Sequence, residues 1–209
     1  MTFSTLGTMA SYVPKVGVTG TVDLSTAVVK GAGMDLITPT SVAGTGVTLS
    51  GGQVSFSAAT SVSVNGCFTS AYDTYRIVMY GGASAIGIGV DARMRLSGTD
   101  NTTANSYIRT FVRGVSAAAS AAIITGTSFS NIAHTDTDIW SSNFDIMRPA
   151  IASMTGFSGM FAGSSNVSSD YVAAFGGRHN QTVAYDGITI IPQSGNITGV
   201  MRIYGLRKS

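Results

Sequence analysis

From Met34 onward, apolar and polar residues alternate with a period of two, the pattern of strands that bury one face. In VTLSGGQVSF, Val47 and Leu49 mark one strand and Val54 and Phe56 the next, while Gly51-Gly52 between them suits the positive φ of a hairpin turn. SVSVNGCF repeats the pattern, with Val62 and Val64 set against serines and the turn signal Asn65-Gly66 following. TYRIVMY puts Tyr75, Ile77 and Met79 on one face and Arg76, Val78 and Tyr80 on the other. ARMRLSGT separates Arg93 and Arg95 from Met94 and Leu96, and SYIRTFVRGV separates Ile108 from Arg109, Phe111 and Arg113. The alanines of 114–125 allow a short helix, but Gly114, Ser116, Ser120 and the Ile123-Ile124 pair favour strand or loop. Later runs, DIWSSNFDIM, GMFAGSSNVSSDYVAAFGG and YDGITIIPQSGNITGVMRIYGL, are again strand-like and bounded by Gly, Ser or Asn.

Short strands at intervals of about 8–12 residues with turn signals between them point to a sandwich, jelly roll or barrel. No longer repeat stands out, which disfavours a propeller or solenoid. Residues 1–33 have only short apolar patches broken by Gly, Thr and Pro14, and read as an extended arm ahead of a β domain over 34–209. Composition agrees with the pattern: every acidic residue is Asp, Lys occurs only at Lys15, Lys30 and Lys208, and Glu, Lys and Leu, which lose little entropy in a helix, are absent or scarce beside 26 glycines. Twelve basic and ten acidic residues spread thinly give a net charge of +2, so no basic face is available for nucleic acid. Cys67 stands alone, excludes an internal disulfide, and reads as a small buried hydrophobe. No run is long enough for a membrane-spanning helix, AAASAAII being the nearest, and no secretory signal is expected.

Catalytic frames are missing. The two histidines, His134 and His179, sit in no familiar motif; GFSG lacks the spacing of a nucleophile elbow, and H-E-x-x-H is impossible without Glu. A pair of aspartates brought together by folding is the one route to glycoside hydrolysis that spacing leaves open; no catalytic residue is assigned, and no cofactor is expected. HTDTD is the sharpest local candidate: in a strand, His134, Asp136 and Asp138 would share a face and could hold a divalent cation, whereas the plainer reading is a solvated loop. The N-x-[ST] triplets at Asn101, Asn166, Asn180 and Asn196 matter only in a eukaryotic secretory pathway.

GMDLITPTSV, VSVNGCFTSAYDTYRIVM, RMRLSGT and the closing YDGITIIPQSGNITGVMRIYGLRKS resemble the C-terminal domains of tail fibre, minor tail and related virion surface proteins of tailed bacteriophages. The resemblance covers about residues 33–209 and is carried by Phe68, Tyr72 and Tyr75 at one end and Gly199, Ile203, Tyr204, Gly205 and Leu206 at the other. It implies a jelly-roll-like antiparallel β-sandwich, a homotrimer, and a virion location after assembly in the host cytoplasm, with no membrane insertion. The chain departs from long fibres in having a short arm in place of a shaft, so residues 1–33 are expected to contact other virion proteins directly. Exposed loops would then meet a host-surface glycan, and the candidates are SGTDNTTANS with Asp100 and Asn101, HTDTD with His134, Asp136 and Asp138, and SSNVSSD with Asn166 and Asp170. A capsid decoration protein or head fibre of the same fold is the alternative.

Overall fold

The structure, a computed structural model, describes residues 33–115, 118–166 and 169–207. Apart from Gly33, the expected arm lies outside them. The described residues form sixteen strands and no helix: β1 Met34–Leu36, β2 Ser41–Ala43, β3 Val47–Ser50, β4 Gln53–Ala59, β5 Val62–Asn65, β6 Thr74–Ala83, β7 Gly89–Leu96, β8 Thr99–Asp100, β9 Tyr107–Val115, β10 Ala118–Gly126, β11 Phe129–His134, β12 Trp140–Met147, β13 Thr155–Asn166, β14 Ser169–His179, β15 Gly187–Pro192 and β16 Ile197–Leu206.

Two antiparallel sheets face each other as a sandwich. The larger runs β10-β9-β14-β13-β12-β6-β16-β4-β3, with β1 also on β16; the smaller runs β11-β7-β15-β5-β2, with β8 on β7. The alternation read in the sequence decides which side chains meet. From the large sheet come Val54, Phe56, Tyr75, Ile77, Met79, Phe144, Phe157 and Phe175; from the small sheet, Val62, Val64, Val90, Met94, Ile188 and Ile190. Cys67 is buried in the same core, and desolvation pushes its thiol pKa far up, so it is inert packing material.

The expected hairpin closes on Gly51 and Gly52, both at positive φ, and the alanine-rich segment is the edge strand β10. β6 enters the core as the pattern implies, with Tyr75, Ile77 and Met79 buried and Arg76, Val78 and Tyr80 on the opposite face. At its mouth the Tyr75 hydroxyl accepts from Thr69 N at 2.6 Å and donates to Thr69 O at 2.7 Å, and Phe68 packs edge-on to its ring at 4.9 Å. Tyr72 lies over Gly205 and donates to Asp35 Oδ2 at 2.8 Å, while Arg207 pairs with the same carboxylate. Phe68, Tyr72, Tyr75 and Gly205 thus form, with Asp35 and Arg207, one clasp joining β1, the entry to β6 and the end of β16.

One side-chain assignment reverses at the end of β7. Met94 is buried as expected, but Leu96 is exposed, because the chain turns into β8 there and runs past the core. Arg95 is the buried partner instead: it pairs with Asp100 and donates to Thr189 Oγ1 at 2.8 Å and Ser63 Oγ at 3.2 Å. A guanidinium can be buried here because acceptors surround it.

The outward face of the large sheet is apolar and small on β10, β9, β14 and β13, and carries Arg76, Asp145 and Arg202 farther along. Tyr80, Val112, Ile123, Met160 and Val172 are large exposed hydrophobes on it. One cross-strand row reads Asn143, Met160, Ala174, Val112, Ala121 without a charge. No helix among the described residues is long and apolar enough to cross a membrane.

Candidate functional site

The three loops expected to make contacts separate into two places. In the first, Asp100 and Asn101 are committed to the fold. The Asp100 carboxylate pairs with Arg95 and accepts from Thr189 Oγ1 at 2.7 Å. Asn101 donates from Nδ2 to Tyr185 OH at 2.9 Å, and its Oδ1 accepts from Thr103 N at 3.0 Å. Tyr185 in turn meets His179 Nε2 at 2.6 Å, and Tyr107 donates to Asn101 O at 2.8 Å. The loop read as an exposed contact is therefore pinned at its start, with only its middle, Thr102 to Asn105, exposed.

In the second place, HTDTD and the β13–β14 hairpin converge. The strand face imagined for His134, Asp136 and Asp138 does not form, because β11 ends at His134. Thr135 then buries itself, accepting from Ile88 N at 3.1 Å and donating to Ala85 O at 2.9 Å, which turns the next residues over the end of the large sheet. His134 faces inward against Tyr171, with ring centroids 4.2 Å apart. Asp138 is exposed, its amide donating to Asp136 Oδ1 at 3.1 Å. Among the described residues, no three His, Cys or Asp side chains are placed to hold a metal ion. Asn166 is the last residue of β13, at the hairpin that leads to Asp170.

Asp136 and Asp170 meet on the rim of one open depression of about 400 Å³, whose walls include Ile139, Trp140, Ser164 and Val172. Asp136 is fixed by Ser164, which donates its hydroxyl to Oδ2, and that hydrogen bond, with the Asp138 amide, holds the carboxyl below its usual pKa. It is therefore an ionised acceptor at neutral pH rather than an acid poised to give up a proton. Ile139 stands 69% exposed beside it, an apolar surface with nothing over it. Two carboxylate acceptors next to exposed aliphatic surface match what a sugar ring presents, hydroxyl donors around a C–H face.

Two other depressions lie on the outer face. One, of about 320 Å³, surrounds Arg76 and Asp145, whose charges are already spent on each other at 2.8 Å. The other, of about 380 Å³ around Val112 and Ala174, offers almost no polar group. The apolar wall of the Asp136–Asp170 cleft was missed in the sequence; Ile139 next to HTDTD was its one available signal.

No family model matches the chain, and no curated protein matches it. Among solved structures it is similar to a protein of unknown function from Shewanella oneidensis MR-1, at 12% identity over 83% of this chain and 79% of that one, with a TM-score of 0.26. A likeness that slight carries neither fold nor function.

Proposed function

We propose that this chain is a virion surface protein of a tailed phage: a tail-associated, non-enzymatic knob that holds a host-surface glycan in the Asp136–Asp170 cleft. The observation that carries the reading is the cleft itself, where two of the loop aspartates picked from the sequence share a rim with exposed aliphatic surface. A rigid sandwich holds the loops in place, as a binding module requires. The lowered pKa of Asp136 speaks against that residue as the general acid that glycoside cleavage would need. Two finer features belong to the same proposal. The jelly-roll-like topology is supported by the way successive strands pass back and forth between the sheets, and the homotrimer by the apolar outward face of the large sheet, which would cover itself between copies.

The test is a glycan array probed with the full chain beside Asp170→Asn and Asp136→Asn. Wild type is expected to retain a defined saccharide class, and each variant to lose about tenfold or more of that signal, the effect of removing one charged hydrogen-bond acceptor. No retention by wild type, or equal retention by all three proteins, overturns the assignment.

The second reading, a decoration protein or head fibre that stabilises the shell, is favoured by the same apolar face, which could equally lie against a capsid surface. Copy number separates the two: decoration occurs in hundreds of copies per particle, a tail knob in few.

A further inference from the structure

Among the described residues the ion pairs are Arg76–Asp145, Arg95–Asp100 and Arg207–Asp35. Two arginines on β9 are in none of them, and both point to the inner side of the large sheet. Arg109 is 1% exposed; its Nη1 donates to the carbonyls of Ser130 and Asn131, but its Nε and Nη2 meet no acceptor. Arg113 is half-buried, donating from Nε to Ser120 Oγ at 2.7 Å and from Nη1 to Tyr171 OH at 2.9 Å. The Phe111 ring packs against both guanidiniums, its centroid 4.2 Å from the guanidinium carbon of Arg109 and 5.4 Å from that of Arg113. On the other side of Tyr171 stands His134, its ring centroid 4.2 Å from that of Tyr171.

Two guanidinium nitrogens of Arg109 without acceptors, beside the second cation Arg113, make an interior that is short of negative charge. Aromatic faces offset part of this, since a guanidinium over a ring gains about 0.5–2 kcal/mol. They do not accept the in-plane N–H groups. The carboxylate that acts on Arg109 through space, Asp91, is already engaged by Asn131 N at 2.9 Å, Gln193 Nε2 at 2.9 Å and Ser128 Oγ at 2.8 Å. Natural interiors leave very few such groups unmatched.

The topology also supplies a way in. The small sheet ends at β11, whereas the large sheet continues to β9 and β10. Beyond β11 the inner face is open: Ala118, Ser120 and Ala122 of β10 are exposed on the same side as Arg113. Polarity is therefore graded along this shelf, from exposed Ser120 through half-buried Arg113 to buried Arg109.

We infer that this shelf binds a small oxyanion, a carboxylate or phosphate group, which enters over Ser120 and is held by Arg113 and the free N–H groups of Arg109. The planar fork of a guanidinium suits two oxygens at once. The site is separate from the Asp136–Asp170 cleft, whose carboxylates would repel the same ligand, and it stands whether or not that cleft takes a glycan.

Isothermal titration of the full chain with inorganic phosphate, and in a parallel arm with acetate, at constant ionic strength held with sodium chloride, tests it. Wild type is expected to bind at least one of the two with one-to-one stoichiometry and to gain thermal stability as the anion is added. The arm that responds identifies the anion class. Arg113→Gln, at a half-buried position that need not disturb the core, is expected to weaken binding by about tenfold or more; Arg109→Gln is expected to abolish it. Should Arg109→Gln fail to fold, Arg113→Gln still decides. Absence of binding to either anion, or unchanged affinity in Arg113→Gln, overturns the inference.

Discussion

His179 shows how much a single buried residue can bias the molecule. Its ring stacks on Tyr107 with centroids 4.0 Å apart, its Nε2 meets Tyr185 OH at 2.6 Å, and burial pushes its pKa down from 6.5 to about 4. Burial does the same to His134, with the positive charges of Arg109 and Arg113 adding to it. Between those values the unfolded chain takes up protons that the folded chain refuses, so stability is complete above pH 6.5 and drains away as pH falls towards 4. For fully buried His179 the loss is on the order of 2–3 kcal/mol. Urea denaturation at pH 7 and pH 4.5 is expected to show it, and His179→Gln to flatten the difference; an unchanged pH slope in that variant contradicts the assignment. At this scale the sequence was partly legible. Alternation put Arg109 and Arg113 on the same face as Phe111, but nothing local said that this face points inward. For Asp100 and Asn101 polarity suggested exposure, yet their partners Thr189 and Tyr185 lie far along the chain.

Elements were easier to read than contacts. Period-two patterning found β3, β4, β6 and β7, because a strand with one buried face must alternate. Leu96 shows where the rule stops: alternation continues after the core has ended. HTDTD shows the converse, since nothing in its pattern announces that β11 ends at His134. The clasp between β6 and β16 depends on close approach. A Cβ on Gly205 would stand 2.5 Å from the Tyr72 ring, which is hydrogen-bonded to Asp35 and so is not free to yield. Gly205→Ala is expected to lower stability by about 1–3 kcal/mol, the usual range for overpacking. Tyr72→Ala in the same background should recover part of that loss through non-additivity, read as the midpoint of chemical denaturation. Two independent, additive losses would mean that the ring and the glycine do not meet.

For the whole molecule, the order β10-β9-β14-β13-β12-β6-β16-β4-β3 could not be read locally, because strand pairing is settled by which faces find each other across the chain. The sandwich class was legible; the meeting of Asp136 with Asp170 was not. The outward face of the large sheet bears on assembly. With Val112 60% and Met160 53% exposed in a row free of charge, a lysine at either position would bury an unpaired charge wherever copies meet through this face. Sedimentation equilibrium is expected to give an oligomer for wild type and monomers for Met160→Lys and Val112→Lys; a wild-type monomer contradicts the trimer. The central claim, a tail-borne surface protein, is tested most directly by gold-labelled electron microscopy of intact particles with an antibody to residues 34–209. Label confined to the tail end is the expected result. Label spread over the head would transfer the chain to the decoration reading, and particles without label would contradict a virion role altogether.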